Sequence, residues 1–115
     1  MLKLPRNTEL ELFSLVNILE AELTTNLFSC AAYGSAVRGG FEEGRSDINL
    51  LIVLNESLPE SHKQISASIA ESSLPIEPFV LGTPGIERSF NAFAIKFISM
   101  KRDYHVLTGQ DPLKE

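Results

Sequence analysis

A Gly-Ser turn and an Asp-x-Asn strand are the features of this sequence whose residue types and spacing could do chemistry. The apolar run over residues 27–33 ends at Gly34 and Ser35, so a buried strand would stop abruptly and leave Ser35 at the start of a helical turn. Unpaired backbone N–H groups at the beginning of such a turn favour a phosphate. Gly34 and Ser35 are therefore candidate phosphate-binding residues.

The run over residues 47–54 has the two-residue period of a strand. This period places Asp47 and Asn49 on one face with Leu51 and Val53, whereas the opposite face takes the aliphatic residues Ile48, Leu50, Ile52 and Leu54. Carboxylate and amide oxygens are both ligands that Mg²⁺ accepts. Because an amide is neutral, Asn49 would hold a divalent cation more weakly than a second carboxylate would.

The combination of Gly34-Ser35 with Asp47 resembles the nucleotidyltransferase superfamily, which includes DNA polymerase beta and the minimal nucleotidyltransferase domains. Asn49 stands where that superfamily usually has a second aspartate, which makes this a divergent Asp-x-Asn variant. The resemblance covers most of the chain, since residues 93–113 look like the tail with which such domains often close. It implies binding of a nucleoside triphosphate such as ATP with Mg²⁺ or Mn²⁺, and transfer of a nucleoside monophosphate to an acceptor hydroxyl.

The resemblance also implies roles for individual side chains. Asp47, Asn49 and Glu77 would be the catalytic, metal-binding residues, because nucleotidyl transfer usually holds its metal with carboxylates on adjacent strands. The alternative for Glu77 is a solvated carboxylate at a strand end. Arg38 would clamp a phosphate beside Gly34 and Ser35, with a solvent-exposed arginine as the alternative. Lys96 interrupts an apolar run and is either an outward-facing strand residue or a cation in the cleft.

The elements that must position these residues form an α/β (α+β) fold, a small mixed β-sheet of about four strands with helices packed on it. A leucine-rich amphipathic helix begins at Thr8. The pattern predicts strands over residues 27–33, 47–54, 74–81 and 94–100, and a helix from 60 to about 73. Pro78 restricts the third strand to an edge, a bulge or a strand beginning. A last helix is predicted from about 102 to 108, with Gly109 stopping it.

Length and composition bound the function. At 115 residues the chain is expected to be one nucleotidyltransferase-like domain, either a module of a longer protein or one that requires a helical partner. The net charge of −5 argues against sequence-independent binding to nucleic acid. No membrane-spanning run or signal peptide is recognisable, so we expect a cytoplasmic protein without membrane contact. Cys30 lies inside an apolar strand-like run and is expected to be a small buried side chain.

Two function hypotheses follow. The first is the nucleotidyltransferase-like domain described above, whose acceptor is open among an antibiotic, a protein hydroxyl and a nucleic-acid end. The second is a catalytically silent interaction or regulatory module, such as an antitoxin-like subunit. The leucine-rich first helix offers a homodimer interface in either case.

Overall fold

The structure, a computed structural model, describes residues 2–114. In chain order its helices and strands are α1 (Arg6–Leu23), β1 (Leu27–Tyr33), α2 (Ser35–Arg38), β2 (Ile48–Leu54), α3 (Pro59–Glu71), β3 (Ile76–Gly82), α4 (Ile86–Ala92), α5 (Ala94–Arg102) and β4 (Tyr104–Gly109). Short 3₁₀ turns cover Thr24–Asn26 and Thr83–Gly85. None of the helices in this part of the chain is both long and apolar enough to cross a membrane.

The four strands form one sheet in the order β3-β2-β1-β4. β1 runs antiparallel to β2 and to β4, whereas β2 and β3 are parallel. The sheet is therefore mixed, and the predicted α+β class is confirmed. β3 occupies an edge, which is the place where Pro78, lacking an N–H, costs no ladder hydrogen bond.

Alternate residues of β2 face opposite sides of the sheet, and different helices cover the two sides. Ile48, Leu50, Ile52 and Leu54 are fully buried and belong to one core cluster with α1 and Ile65 of α3. Leu51 and Val53 are also fully buried, in a second cluster with Phe97 and Met100 of α5. β2 is therefore covered on both sides, and its predicted two faces are confirmed.

The secondary structure predicted for two segments near the C-terminus is wrong. Residues 94–100 form the helix α5, not a strand, and residues 102–108 largely form the strand β4, not a helix. In α5 the buried residues Phe97 and Met100 are three positions apart, and so are the exposed Ile95 and Ile98. An apolar run this dense fits either period, and packing against the sheet selects the helix.

Gly109 ends β4 and does not cap a helix. Its φ is +82°, and a Cβ at this position would collide with the carbonyl oxygen of Phe28 and lie 2.9 Å from the Cα of Ser29. The glycine is therefore required by the close pairing of β4 with β1.

The first helix begins at Arg6, two residues before the predicted Thr8. Its leucine-rich face, formed by Leu12, Leu15, Leu19 and Leu23, lies in the core of the same chain. That face is consequently not available for a homodimer interface, because the sheet already covers it. The exposed apolar side chains of α1 are Leu10, Phe13 and Ile18.

Cys30 lies fully buried in the middle of β1, as predicted. Burial raises the pKa of its thiol to about 12, and the Glu20 carboxylate adds to the increase. A thiol that stays protonated and covered is a packing group, since only the thiolate is reactive.

Candidate functional site

One end of each of the four strands lies at the same end of the sheet. Because β1 is antiparallel to both β2 and β4, and β2 is parallel to β3, the carboxyl end of β1 lies beside the amino ends of the other three strands. At this end of the sheet, Gly34 follows β1 and Asp47 precedes β2. Glu77 is the second residue of β3, and Asp103 precedes β4. The topology thus gathers residues from distant parts of the sequence.

Asn49 is the middle residue of a row of three that crosses the neighbouring strands β1, β2 and β3. Its register partner in β1 is Tyr33, and its partner in β3 is Glu77. Side chains in register on neighbouring strands stand on the same face, with Cβ atoms roughly 5 Å apart. Burial raises the pKa of Tyr33, and the negative charge of Glu77 raises it further, which agrees with this row.

The predicted neighbours of Asp47 and Glu77 differ in detail from the observed ones. Glu77 pairs with Asn49 and not directly with Asp47, which lies one residue before β2 and is exposed. The backbone N–H of Ile48 donates to the Pro75 carbonyl oxygen at 2.8 Å, so Asp47 still adjoins the beginning of β3. Both carboxylates are exposed, and Asn49 is half-buried.

The Gly-Ser turn lies close to this row. Gly34 has a φ of +82°, and a Cβ added to it would lie 2.8 Å from Asn49 Nδ2. A residue with a side chain would therefore be strained in its backbone and would also displace Asn49. The two motifs singled out in the sequence, Gly34-Ser35 and Asp-x-Asn, therefore lie side by side.

The one-turn helix α2 fixes the chain after Gly34. The N–H groups of Val37 and Arg38 donate to the Gly34 carbonyl oxygen at 3.0 and 2.8 Å, and the Gly34 N–H donates to the Asp103 carbonyl oxygen at 3.0 Å. The first N–H groups of a helix have no acceptor within the helix itself. α2 begins with Ser35 and Ala36, at the same end of the sheet as Asp47.

Arg38 forms an ion pair with Asp103, with 3.6 Å between Nη1 and Oδ2. The arginine side chain is 58% exposed and the aspartate 22%, and surface pairs of this kind contribute little, about 0–1 kcal/mol. The pair is therefore exposed to solvent and weak, and the predicted role of Arg38 at a phosphate stays a prediction. Sequence reasoning missed Asp103 because its segment was assigned to a helix, and only the pairing of β4 with β1 brings it here.

Lys96 belongs to the same side of the sheet. It lies on α5, so its interpretation as a strand residue is wrong, and its Nζ is 5.0 Å from the ring centroid of Phe79 and 5.8 Å from that of Tyr33. Phe79 also contacts Phe93 and Phe97, at centroid distances of 5.7 and 5.9 Å. This aromatic packing holds α5 over the sheet beside the candidate site.

Comparison with known proteins decides which fold this is. No protein-family model and no curated protein matches the sequence. Among solved structures, the spectinomycin adenyltransferase AAD(9) from Enterococcus faecialis, with ATP and spectinomycin, matches with a TM-score of 0.75 and 19% identity, over 92% of this chain and 58% of that one. This chain has the nucleotidyltransferase fold.

Two further structures with this nucleotidyltransferase fold come from toxin–antitoxin systems. One, a toxin–antitoxin with AMP-PNP, has a TM-score of 0.56 and 14% identity over 86% of this chain and 74% of that one. The other, tri-AMPylated Shewanella oneidensis HEPN toxin in complex with MNT antitoxin, has a TM-score of 0.51 and 13% identity over 90% and 73%. The present chain spans less than two thirds of the length of the adenyltransferase chain.

The candidate oxygen donors at this end of the sheet come from Asp47, Asn49 and Glu77. Within residues 2–114, no group of three or more His, Cys, Asp or Glu side chains is close enough to hold a metal ion. Asp47 and Glu77 offer carboxylates, and Asn49 between β1 and β3 offers a neutral amide oxygen. Such a set fits a metal that arrives with the phosphates of a nucleotide, because those phosphates supply the remaining oxygens and negative charge.

Proposed function

We propose that this protein binds a nucleoside triphosphate with Mg²⁺ and transfers its nucleoside monophosphate group to an acceptor hydroxyl. The observation that carries the proposal is the contact between Gly34 and Asn49, with Glu77 in register beside Asn49. The candidate phosphate-binding turn is therefore next to the side chains proposed to hold the metal. The adenyltransferase with ATP, which shares the fold, supports the same class of reaction.

Each residue has a defined part in that reaction. The turn at Gly34 and Ser35 binds phosphate oxygens, and the Arg38 guanidinium turns from Asp103 to a phosphate. Asp47, Asn49 and Glu77 hold Mg²⁺ or Mn²⁺, which when bound neutralises the phosphates and lowers the pKa of the acceptor hydroxyl.

The transfer itself is a substitution at the α-phosphorus. The acceptor oxygen forms a bond to this phosphorus, the bond from phosphorus to the bridging oxygen of the β-phosphate breaks, and pyrophosphate leaves with its electron pair. The acceptor hydroxyl releases its proton to solvent water. The protein contributes positioning, because the turn follows β1 and the oxygen donors lie on or next to β2 and β3, which pair with each other in one sheet.

A second candidate function is a catalytically silent interaction module. Two observations favour it: Asn49 is uncharged, and α5 exposes Ile95 by 85% and Ile98 by 62%. A toxin in complex with an antitoxin is among the structures of this fold. In this role the fold is kept and the exposed surface of α5 binds a partner subunit.

The nucleotide site is tested by thermal unfolding with each nucleoside triphosphate, with and without Mg²⁺ or Mn²⁺. A ligand that binds only the folded protein stabilises it by about 2.7 kcal/mol at a hundredfold excess over Kd. We expect a metal-dependent increase of the melting temperature that is lost in Asp47→Ala and kept in Glu22→Ala. The control residue Glu22 is an exposed carboxylate on α1. No shift in the wild type at millimolar nucleotide would refute the nucleotide site.

Replacing Asn49 with aspartate distinguishes the two functions. The added charge strengthens metal binding, so a site that catalyses transfer should gain activity on model acceptors that carry a hydroxyl, measured by release of pyrophosphate. If Asn49→Asp binds nucleotide with metal and still releases no pyrophosphate, the silent module is the better description.

A further inference from the structure

Lys96 lies over the strand that carries Asn49. Its Nζ is 5.8 Å from the ring centroid of Tyr33 on β1 and 5.0 Å from that of Phe79 on β3. β2 lies between these two strands. A group close to both rings therefore stands above β2, where Tyr33 pairs with Asn49 and Phe79 pairs with Leu51.

The net negative charge of the candidate site is low, which is compatible with a positively charged ammonium group beside it. Two carboxylates, those of Asp47 and Glu77, flank the position where Asn49 contributes no charge. A site for two divalent cations needs more negative charge than this, and a lysine above the same row would repel the second ion. The same lysine would attract a polyphosphate, to which its three N–H donors bind as a flexible point charge.

We propose that Lys96 contacts the phosphates of the bound nucleotide directly and supplies positive charge that a second divalent cation would otherwise supply. The proposal rests on the proposed nucleotide site and adds a specificity for it: the ligand is a nucleoside polyphosphate bound with a single divalent cation. Lys96 is exposed, and within residues 2–114 its ammonium lies against two ring faces and in no ion pair, so moving it to a phosphate would break no buried ion pair.

A purely structural role for Lys96 has a different consequence. If the ammonium served only to cover the rings of Tyr33 and Phe79, its loss would change the melting temperature of the free protein and leave nucleotide affinity alone. A phosphate contact makes affinity depend on the number of phosphates. ATP, ADP and adenosine therefore separate the two roles.

The experiment is isothermal titration calorimetry of ATP, ADP and adenosine at fixed Mg²⁺, with the wild type, Lys96→Met, Lys96→Arg and Lys63→Met. Lys63 is an exposed lysine of α3, on the opposite side of the sheet. We expect Lys96→Met to weaken ATP binding about tenfold, equivalent to about 1.4 kcal/mol, with a smaller loss for ADP and none for adenosine. Lys96→Arg and Lys63→Met should bind ATP as the wild type does.

Metal stoichiometry gives a second readout that does not depend on affinity. Electron paramagnetic resonance of Mn²⁺ should show one bound ion per ATP in the wild type, and a second ion in the Asn49→Asp, Lys96→Met double variant. Equal ATP affinity in the wild type and Lys96→Met would overturn the role of Lys96 and leave the nucleotide site intact. A second Mn²⁺ in the wild type would do the same, whereas a wild type that binds no ATP would overturn both.

Discussion

At the scale of single residues, one sheet position sets the character of the site. Asn49 contacts Gly34 and lies in register with both Tyr33 and Glu77. An aspartate at this position would place a further negative charge beside Glu77, whereas asparagine leaves the row with less charge and an exposed lysine above it. This charge balance is the reason for the proposal that the ligand is an anion that brings its own metal.

Tyr33 reports on this arrangement through its pKa. The chain has two tyrosines, so a Tyr104→Phe background leaves Tyr33 as the single tyrosine. Burial, and then Glu77, raise the pKa of Tyr33. We expect Glu77→Gln in this background to lower that pKa part of the way toward about 10, measured by the ultraviolet absorbance of tyrosinate. An unchanged pKa would place Glu77 away from the row.

The same shift has a consequence for stability. Since the unfolded chain loses the tyrosine proton at about pH 10 and the folded chain only at higher pH, the folded state binds more protons in that interval. The contribution of Tyr33 to the free energy of unfolding is therefore complete below pH 10 and falls as the pH rises through the raised pKa. Glu77→Gln should make this decline shallower in urea titrations at alkaline pH.

At the scale of elements, α5 is the segment whose assignment matters most for function. As a strand, residues 94–100 would place Ile98 and Met100 on one face. As a helix, they bury Met100 completely, leave Ile98 62% exposed and place Lys96 above β2. The candidate site thus includes a cation only because this segment is helical and packs on the sheet.

Alanine substitutions in α5 test this geometry. Met100→Ala should lower the free energy of unfolding by about 2–5 kcal/mol, because it leaves a cavity between α5 and the sheet. Ile98→Ala, its matched control, should change it by no more than about 0.5 kcal/mol, as exposed positions do. Urea denaturation measures both, and similar losses for the two variants would contradict the helix.

At the scale of the whole molecule, β1 and β2 lie at the centre and are covered on both faces. One side carries α1 and α3, and the other carries α4 and α5. At the end of the sheet that carries the candidate site, Gly34 follows the central strand β1 and Asp47 precedes the central strand β2, whereas Glu77 lies on the outer strand β3. Because the site adjoins the two central strands, a nucleotide bound at this end of the sheet should stabilise the global fold and not only a local segment.

Cys30 measures that global stability because it is the only cysteine and lies at the centre of β1. We expect a thiol reagent such as Ellman's reagent to label the native protein only through global unfolding, with urea dependence matching that of circular dichroism. Met100→Ala should accelerate labelling in proportion to its loss of stability, and Mg²⁺ with ATP should slow it. Rapid labelling without denaturant would show that the sheet opens locally.

Much of the site could be predicted from local sequence. Gly34-Ser35 after an apolar run, and the alternation of Asp47 and Asn49 with buried aliphatic residues, are patterns that a few consecutive residues specify. β1, β2 and their faces follow from these patterns. A mixed sheet of about four strands is also confirmed, although its fourth strand is not the one that the pattern predicted. The roles of Asp47, Asn49, Glu77, Gly34, Ser35 and Arg38 stay predictions.

The rest depended on contacts between residues far apart in the chain. The sequence by itself determined the turn, the two central strands and the buried faces of β2, because period and turn chemistry act over a few residues. Only the tertiary structure decided that residues 94–102 are a helix, that Glu77 meets Asn49, that Asp103 pairs with Arg38 and that Lys96 lies over β2. A dense apolar run fits more than one period, so the surface it packs against selects its conformation and, with it, the neighbours of every charged group it carries.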